Sequence, residues 1–225
     1  MTQIDPDYAA EVSGDDAEIL TLLRSPEGLC AYAARVSSPN QTNTEYAKLL
    51  KHCMTHGHWS VFEQLTLNFE ITTSRVIAAQ LLRHNSLRFQ EFSQRYAKVP
   101  ESYERFEARR QDSKNRQNSI NDMPENDRQW WDTIQERAWE ANYHYYKEAL
   151  NRGIAKEQAR AILPLSTTTR LYASGTLRSW IHYVGVRGEA AAQKEHREIA
   201  EGIKEILIKK LPIVAAACDW DKEDL

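Results

Sequence analysis

Residues 65–71 constrain the fold of this 225-residue chain more than any other segment. Their apolar and polar side chains alternate strictly, which is the pattern of a strand with one buried face. Ser74 follows, and a hydroxyl side chain at such a position favours the start of a helix. Helical spacing then predicts that this helix runs to about His84. The chain is therefore expected to pass from a strand directly into a helix, through Leu65, Leu67, Phe69 and Ile71 and then Val76, Ile77, Ala79 and Leu81.

The composition is that of a globular protein, since 41% of the residues are hydrophobic and no apolar run approaches the roughly 20 residues that span a bilayer. The length fits one domain or two small ones, and no break in composition marks a second, so a single domain over residues 1–225 is expected. The N-terminus lacks the basic start and apolar stretch of a secretory signal. Three widely spaced cysteines fit neither a disulfide framework nor a zinc site. The expected location is the cytoplasm, with no metal bound.

Five further helices are predicted from apolar spacing and from flanking glycine and proline residues. Residues 107–129 hold almost no large apolar side chains and are expected to form an exposed polar connection. For residues 16–23, periodicity leaves a strand and a short helix equally open. The helices are expected over residues 44–56, from Pro124 to near Gly153, over residues 157–163, around residues 177–184, and from Glu189 to Lys210, where Pro212 ends the last one.

Residues 83–96 combine arginine, histidine, serine, glutamine and glutamate with aromatic rings. The net charge is -3, so this basicity is local: four arginines and a single acid, Glu91, lie between Arg75 and Arg95. Guanidinium groups match phosphate and stack on flat rings, so the stretch is predicted to hold a small anionic ligand with a planar ring. Two alternatives remain on residue types alone. One is a solvated helix end, where arginines are also favoured. The other is a face of arginine and aromatic side chains that binds single-stranded nucleic acid, although the acidic total charge counts against it.

This stretch resembles the signature of the flavin-dependent thymidylate synthases, which is an Arg-His-Arg triplet followed by seven residues and a serine. Arg83, His84 and Ser93 occupy matching positions, and Asn85 stands where the family has its second arginine. Losing one charged contact to a cofactor costs about 1.5–3 kcal/mol if nothing replaces it. Arg88, three residues later, is our candidate for the replacement charge.

Three further segments resemble family motifs in the same order. Residues 58–64 match a His-x-x-x-Phe-Glu-His motif, except that Gln64 replaces the last histidine. Arg160 matches the arginine of an Ala-Arg-x-x-Leu-Pro segment. Residues 176–187 match a helix on which side chains four apart share one face. Each segment alone would be an ordinary cap or amphipathic helix, and their joint order across about residues 56–200 makes the resemblance specific.

The resemblance implies an α/β (α+β) fold with a central antiparallel or mixed sheet, flanking helices and a helical C-terminal half. It implies reductive methylation of deoxyuridine monophosphate (dUMP) to thymidylate, with methylenetetrahydrofolate as carbon donor and NADPH as reductant through bound FAD. It also implies a homotetramer with shared active sites. A related flavin- or nucleotide-binding protein without methyltransfer stays open because of Asn85, and so does a nucleic-acid-binding module.

The matched positions imply three roles. Arg187 is expected to stabilise negative charge on the pyrimidine, and no protein nucleophile is expected because the cysteines lie outside the motifs. The residues implied to bind FAD are His58, Ser60, Glu63, Arg83, His84, Asn85, Glu91, Thr176, Leu177, Arg178 and His182. Those implied to bind the nucleotide are Gln80, Leu81, Leu82, Arg83, Glu91, Phe92, Ser93, Gln94, Arg95, Arg160 and Arg187.

Overall fold

The structure, a computed structural model, describes residues 25–220. The expectation for residues 16–23 therefore lies outside the described range. Three of the five strands form one antiparallel sheet, with β5 in the centre between β1 and β2, and the other two form a small hairpin. The strands are β1 (Thr66–Ser74), β2 (Arg88–Glu91), β3 (Arg110–Gln111), β4 (Ser119–Ile120) and β5 (Thr168–Thr176).

Helices account for most of the remaining regular structure, and two short 3₁₀ segments, Trp59–Glu63 and Arg160–Ile162, lie between them. The C-terminal half is mainly helical, as expected, apart from β5. The helices are α1 (Pro26–Ala34), α2 (Ala47–Thr55), α3 (Arg75–Leu81), α4 (Glu125–Asn151), α5 (Lys156–Ala159), α6 (Leu177–Arg187), α7 (Lys194–Lys210) and α8 (Pro212–Ala217). None of these helices has the length and apolar character needed to cross a membrane.

Two strands pass directly into helices, and a hydroxyl side chain caps each junction. Ser74 accepts a hydrogen bond from the Ile77 N–H, as the sequence predicted, and Thr176 accepts one from the Ser179 N–H. Such caps satisfy N–H groups that have no partner within the helix. Since β1 and β5 run antiparallel, with Ser74 opposite Thr168, α3 and α6 begin at opposite ends of the sheet.

The main core lies between the sheet and the C-terminal helices. Trp180 of α6 is completely buried, and its Nε1–H donates to the Leu67 carbonyl at 3.1 Å. Its ring meets Phe69 edge to face at 4.6 Å. Burial of one large apolar side chain contributes about 1.5–3 kcal/mol, so this contact fixes α6 on β1.

At the other edge of β5, Gly175 has no side chain to collide with Leu87, which lets β2 approach closely.

Several expected boundaries differ from the structure. The segment at 107–129 contains the β3–β4 hairpin, and its last five residues belong to α4. The last long helix begins at Lys194 rather than Glu189, and Pro212 starts α8 instead of ending the helical region. Proline is well suited to the first turn of a helix, because the N–H it lacks would have no partner there. The central strand β5 and the helix α1 were not predicted.

Candidate functional site

The chain turns sharply after β2, at residues 92–97. The Ser93 carbonyl accepts from the N–H groups of Tyr96 and Ala97, at 3.1 and 3.0 Å. The backbone N–H groups of Ser93, Gln94 and Arg95 have no acceptor within residues 25–220. The Gln94 side chain is buried, and its Nε2 also lacks a partner in that range. Consecutive N–H groups of this kind form a concavity that binds anions.

Two arginines flank this turn, although 65 positions separate them. Arg95 is 67% exposed, and its Nη2 lies 2.9 Å from the Glu157 carboxylate. Arg160 donates from Nε to the Glu157 carbonyl at 3.4 Å. The structure therefore brings both predicted phosphate contacts to one residue, whose role the sequence did not indicate. We call Ser93, Gln94, Arg95, Glu157 and Arg160 the arginine turn.

Glu91 faces the inside of the protein. Its Oε1 accepts from Arg75 Nη1 at 2.7 Å and from Thr169 Oγ1 at 2.9 Å. These contacts tie β2 to α3 and to the central strand. Sequence reasoning proposed Glu91 as a ligand contact and assigned no role to Arg75 or Thr169. In this structure the carboxylate holds the strand that leads into the arginine turn.

The signature triplet follows the end of α3. Arg83 and Asn85 are exposed, and His84 is buried. Arg88 donates from Nη1 to the Asn85 carbonyl at 3.0 Å, so its guanidinium lies beside the residue that departs from the motif. The neighbouring predicted contacts divide by burial, with Leu81 in the core, Phe92 half-buried and Leu82 exposed.

The two motifs implied for FAD meet at the other end of β5. Arg178 forms an ion pair with Glu63, which lies 115 positions earlier. Ser60 lies in the same 3₁₀ segment as Glu63, and its carbonyl accepts from the Gln64 side chain at 3.4 Å. His58 precedes this segment. Thr176 caps α6, and Leu177 is buried beneath it.

A second polar group lies where α3, α6 and α7 meet. The His84 ring lies 5.7 Å from the His182 ring and 5.3 Å from the Tyr183 ring, and Tyr183 lies 5.8 Å from His196. Burial lowers the pKa of both His84 and His196, and the charge of Arg187 adds to the shift of each. We call His84, His182, Tyr183, Arg187 and His196 the histidine cluster.

The histidine cluster holds four buried polar atoms that have no hydrogen-bond partner among the described residues: His84 Nε2, the Tyr183 hydroxyl, Arg187 Nε and His196 Nε2. Burial, with a further contribution from Arg187 and His84, lowers the pKa of His196 to about 4. Burial also lowers the pKa of His84 and raises that of Tyr183. Near neutral pH these rings are therefore uncharged, and Arg187 is the cation among them.

The two halves of the predicted site are separated within one chain. The arginine turn lies near the Thr168 end of β5, because Phe92 donates to the Arg170 carbonyl. The Glu63–Arg178 pair lies at the Thr176 end. Arg170 and Thr176 lie six residues apart on β5, which separates the two groups by about 20 Å along the strand.

A cavity of about 420 Å³ lies elsewhere, at the base of α4. None of the predicted site residues lines it. Its walls are formed by Glu107, Ala108, Arg109, Met123, Asp127, Trp130 and Trp131.

Comparison with known proteins places these features in a family. Residues 18–213 match the family described as thymidylate synthase complementing protein. The chain is 58% identical over 196 residues to the flavin-dependent thymidylate synthase of Synechocystis sp., covering 87% of this chain and 91% of the relative. It is 53% identical over 200 residues to the probable flavin-dependent thymidylate synthase of Paramecium bursaria Chlorella virus 1, covering 88% and 93% of the two chains.

The fold also matches a solved structure. A UMP/dUMP methylase from Streptomyces cacaoi, bound with 5-Br dUMP, superposes with a TM-score of 0.77 at 26% identity, covering 87% of this chain and 91% of that one. The expected fold class is thereby confirmed. The chain therefore belongs to the thymidylate synthase complementing protein family, that is, to the flavin-dependent thymidylate synthases, which are methyltransferases.

Proposed function

We propose that this chain methylates dUMP to thymidylate, with methylenetetrahydrofolate as carbon donor and NADPH as reductant through bound FAD. The observation that carries the proposal is the arginine turn, where two guanidinium groups flank three unpaired backbone N–H groups. That arrangement suits the phosphate of a nucleotide. The dUMP analogue bound in the Streptomyces cacaoi methylase supports the choice of nucleotide.

Phosphate binding is assigned to Ser93, Arg95 and Arg160. The Ser93 hydroxyl and the free N–H groups would donate to phosphate oxygens, and the guanidinium groups would neutralise the charge. Arg95 must leave or share Glu157 to do this. An exposed ion pair contributes only about 0–1 kcal/mol, so the exchange is feasible.

The proposed reaction uses no cysteine nucleophile. Burial raises the pKa of the Cys30 thiol to about 12, with a smaller contribution from Glu27. Burial likewise raises the pKa of Cys53, and it raises that of Cys218 to about 12. The thiolate is the reactive form of cysteine, and all three side chains disfavour it. Activation of the pyrimidine is therefore assigned to electrostatics.

Arg187 is assigned that electrostatic role. Its guanidinium would lie against the pyrimidine carbonyl and stabilise the negative charge that develops as C5 attacks the one-carbon unit. A donor aimed at developing charge in a site shielded from water contributes more than it does in bulk solvent. Its Nε–H still has no acceptor in the described part of the chain, so the side chain can still be oriented by a partner.

FAD, when bound, supplies the redox chemistry of the reaction. The donor set at the Thr176 end of β5 fits a dinucleotide, because Arg178 offers a half-exposed guanidinium and His84 offers a buried ring nitrogen without a partner. Residues from three motifs would bind and orient it. They are His58, Ser60, Glu63, Arg83, His84, Asn85, Thr176, Leu177, Arg178 and His182.

Arg88 is proposed to replace the charge that Asn85 lacks, since its guanidinium lies on the Asn85 carbonyl. Arg88→Ala should weaken FAD binding about tenfold or more, which is the effect expected from one charged hydrogen bond. FAD titration of the apoprotein would measure it, with Lys98→Ala as a matched exposed control. An FAD affinity equal to that of the parent would refute this assignment.

A shared site is proposed to arise between chains in a homotetramer. The separation of the arginine turn from the Glu63–Arg178 pair supports this, because a nucleotide and a flavin in contact need one group from each of two copies. Mixing Arg160→Ala chains with Arg178→Ala chains tests the idea. Recovery of activity above that of either variant is expected, and no recovery in demonstrably mixed oligomers would contradict it.

Purified protein tests the proposed reaction directly. We expect a yellow protein with a flavin absorbance spectrum, and tritium release from C5-labelled dUMP that requires both methylenetetrahydrofolate and NADPH. Assays that omit either co-substrate serve as controls. Protein that cannot take up FAD would overturn the proposal, and flavin-loaded protein without tritium release would reduce it to nucleotide and flavin binding.

A further inference from the structure

A directional chain of hydrogen bonds runs from a carboxylate into the histidine cluster. Glu195 accepts from Gln193 Nε2 at 2.9 Å. Gln193 Oε1 accepts from Gln80 Nε2 at 2.7 Å, and Gln80 Oε1 lies 3.2 Å from His196 Nδ1. A carboxylate only accepts hydrogen bonds, so it fixes which way round each amide lies.

This hydrogen-bond chain also fixes the tautomer of His196. Gln80 Oε1 can only accept a hydrogen bond. Nδ1 of His196 must therefore carry a proton and donate it in this hydrogen bond. His196 is 0% exposed, and burial favours its neutral form. A neutral imidazole with a protonated Nδ1 has a bare Nε2, which is an acceptor. This nitrogen is buried and has no donor in the described structure.

Arg187 carries the complementary unpaired group. Its Nε–H is a buried donor without an acceptor in the described part of the chain, and its charge is felt at His196. Leaving a buried polar atom unpaired is costly, and hydrogen bonds from a cationic donor are stronger than neutral ones. The unpaired acceptor and the unpaired cationic donor therefore favour pairing with each other.

We propose that His196 is a positioning residue for the nucleotide site: its Nδ1–H orients Gln80, and its bare Nε2 accepts from the Arg187 Nε–H when nucleotide is bound. This inference rests on the proposed function, in which Gln80 and Arg187 contact the nucleotide. His196 is completely buried, and its proposed effect on the nucleotide acts through Gln80 and Arg187.

Two substitutions separate the two hydrogen bonds. His196→Asn places an amide N–H near Nδ1 but offers no acceptor at Nε2, whereas His196→Gln places a carbonyl oxygen near Nε2 and loses the donor to Gln80. We expect His196→Asn to lower kcat about tenfold while KM for dUMP stays within about threefold. His196→Gln should raise KM for dUMP about fivefold and keep kcat within about threefold.

His144→Asn, at an exposed position on α4, is the matched control and should behave as the parent. FAD absorbance and thermal unfolding establish that each variant is folded. A purely structural role would change both constants together in both variants, and that outcome would overturn the proposal. So would constants equal to those of the parent in both variants.

Gln193→Ala provides an independent test if the buried substitutions do not fold, because Gln193 is exposed and caps nothing with its side chain. Breaking the hydrogen-bond chain at Gln193 should raise KM for dUMP about threefold at unchanged kcat. An unchanged KM would refute the orienting chain. A parent protein without methylation activity would instead refute the proposed function, so the two failures are distinguishable.

Discussion

The arginine turn and the histidine cluster are both rich in cationic or polar side chains, yet they are built in opposite ways. The arginine turn is largely exposed apart from Gln94, and both of its arginines already have partners: Arg95 pairs with the Glu157 carboxylate, and Arg160 donates to the Glu157 carbonyl. The histidine cluster is built around the buried, uncharged rings of His84, Tyr183 and His196, and it holds four buried polar atoms without partners in residues 25–220. Exposed ion pairs exchange readily for a ligand, whereas buried unpaired groups are costly until something completes them.

This difference separates two effects of substitution. Changes in the arginine turn should alter nucleotide affinity and leave stability nearly unchanged. Changes in the histidine cluster should alter turnover or, as in His196→Gln, the KM for dUMP. They should also affect stability and its pH dependence, because the cost of a charge in that interior is large. Each of the following experiments tests one side of this contrast.

The largest effect is expected from Arg187→Ala. Removing one donor that stabilises transition-state charge typically costs a factor of about 10²–10³ in kcat. We expect a decrease of that order in kcat for thymidylate formation, measured in steady-state assays with saturating co-substrates. The FAD absorbance spectrum should persist. A kcat within about fivefold of the parent would show that Arg187 does not stabilise the transition state. It would also contradict the expected link between the histidine cluster and turnover.

A somewhat smaller effect is expected from acid. The pKa of His196 falls from 6.5 in the unfolded chain to about 4 in the folded protein, because of burial and the nearby Arg187 and His84. Between these two values the unfolded chain takes up a proton that the folded protein excludes, so stability is lost as pH falls from 6.5 towards 4. The difference amounts to about 3 kcal/mol over that window.

Urea unfolding at pH 7, 6 and 5 measures this loss. In His196→Gln the titrating group is absent, so the free energy of unfolding should fall less steeply with acid than in the parent. His84, whose pKa burial also lowers, contributes in the same direction in both proteins. Parallel pH dependences in the two proteins would show that His196 does not carry this effect.

Arg160→Ala tests the arginine turn. Loss of one charged hydrogen bond to phosphate should raise the Kd for dUMP about tenfold to a hundredfold, which corresponds to about 1.5–3 kcal/mol. The midpoint of thermal unfolding should stay within about 2 °C of the parent. Calorimetric titration with dUMP and a thermal scan measure both, and Arg152→Ala is the exposed control. Unchanged affinity would show that the phosphate lies elsewhere.

The sequence predicted the strand-to-helix transition at Ser74 because alternation and a capping side chain are local signals. It did not predict β5, although this strand is central. Its buried positions include Thr169 and Ala173, whose small or polar side chains do not produce a clear apolar alternation. Pairing with strands on both sides stabilises β5, and such pairing is not visible in a local pattern.

The candidate site shows the same division. Motif order predicted Arg95, Arg160 and Arg187 as site residues, but contacts between distant segments, such as Glu157 with Arg95, depend on tertiary structure. His196 was missed even though a signal existed. It lies four positions before Ala200 on the face of α7 that also buries Ile203 and Leu207, so it is a polar residue on an inward face. Such residues are usually paired, which makes them candidates for functional networks.

The smallest effect, and the sharpest test of the contrast, is expected from Glu157→Gln. This change releases Arg95 from its carboxylate partner while keeping the Glu157 backbone carbonyl that Arg160 contacts. Since an exposed ion pair contributes about 0–1 kcal/mol, stability should not change measurably, and dUMP should bind up to about threefold more tightly because Arg95 no longer has to be shared. Calorimetry with dUMP measures the difference, which should shrink as salt screens the exposed charges. Weaker binding would mean that Glu157 orients Arg95 for the phosphate rather than competing with the phosphate for Arg95. The arginine turn would then be preorganised for its ligand, like the histidine cluster.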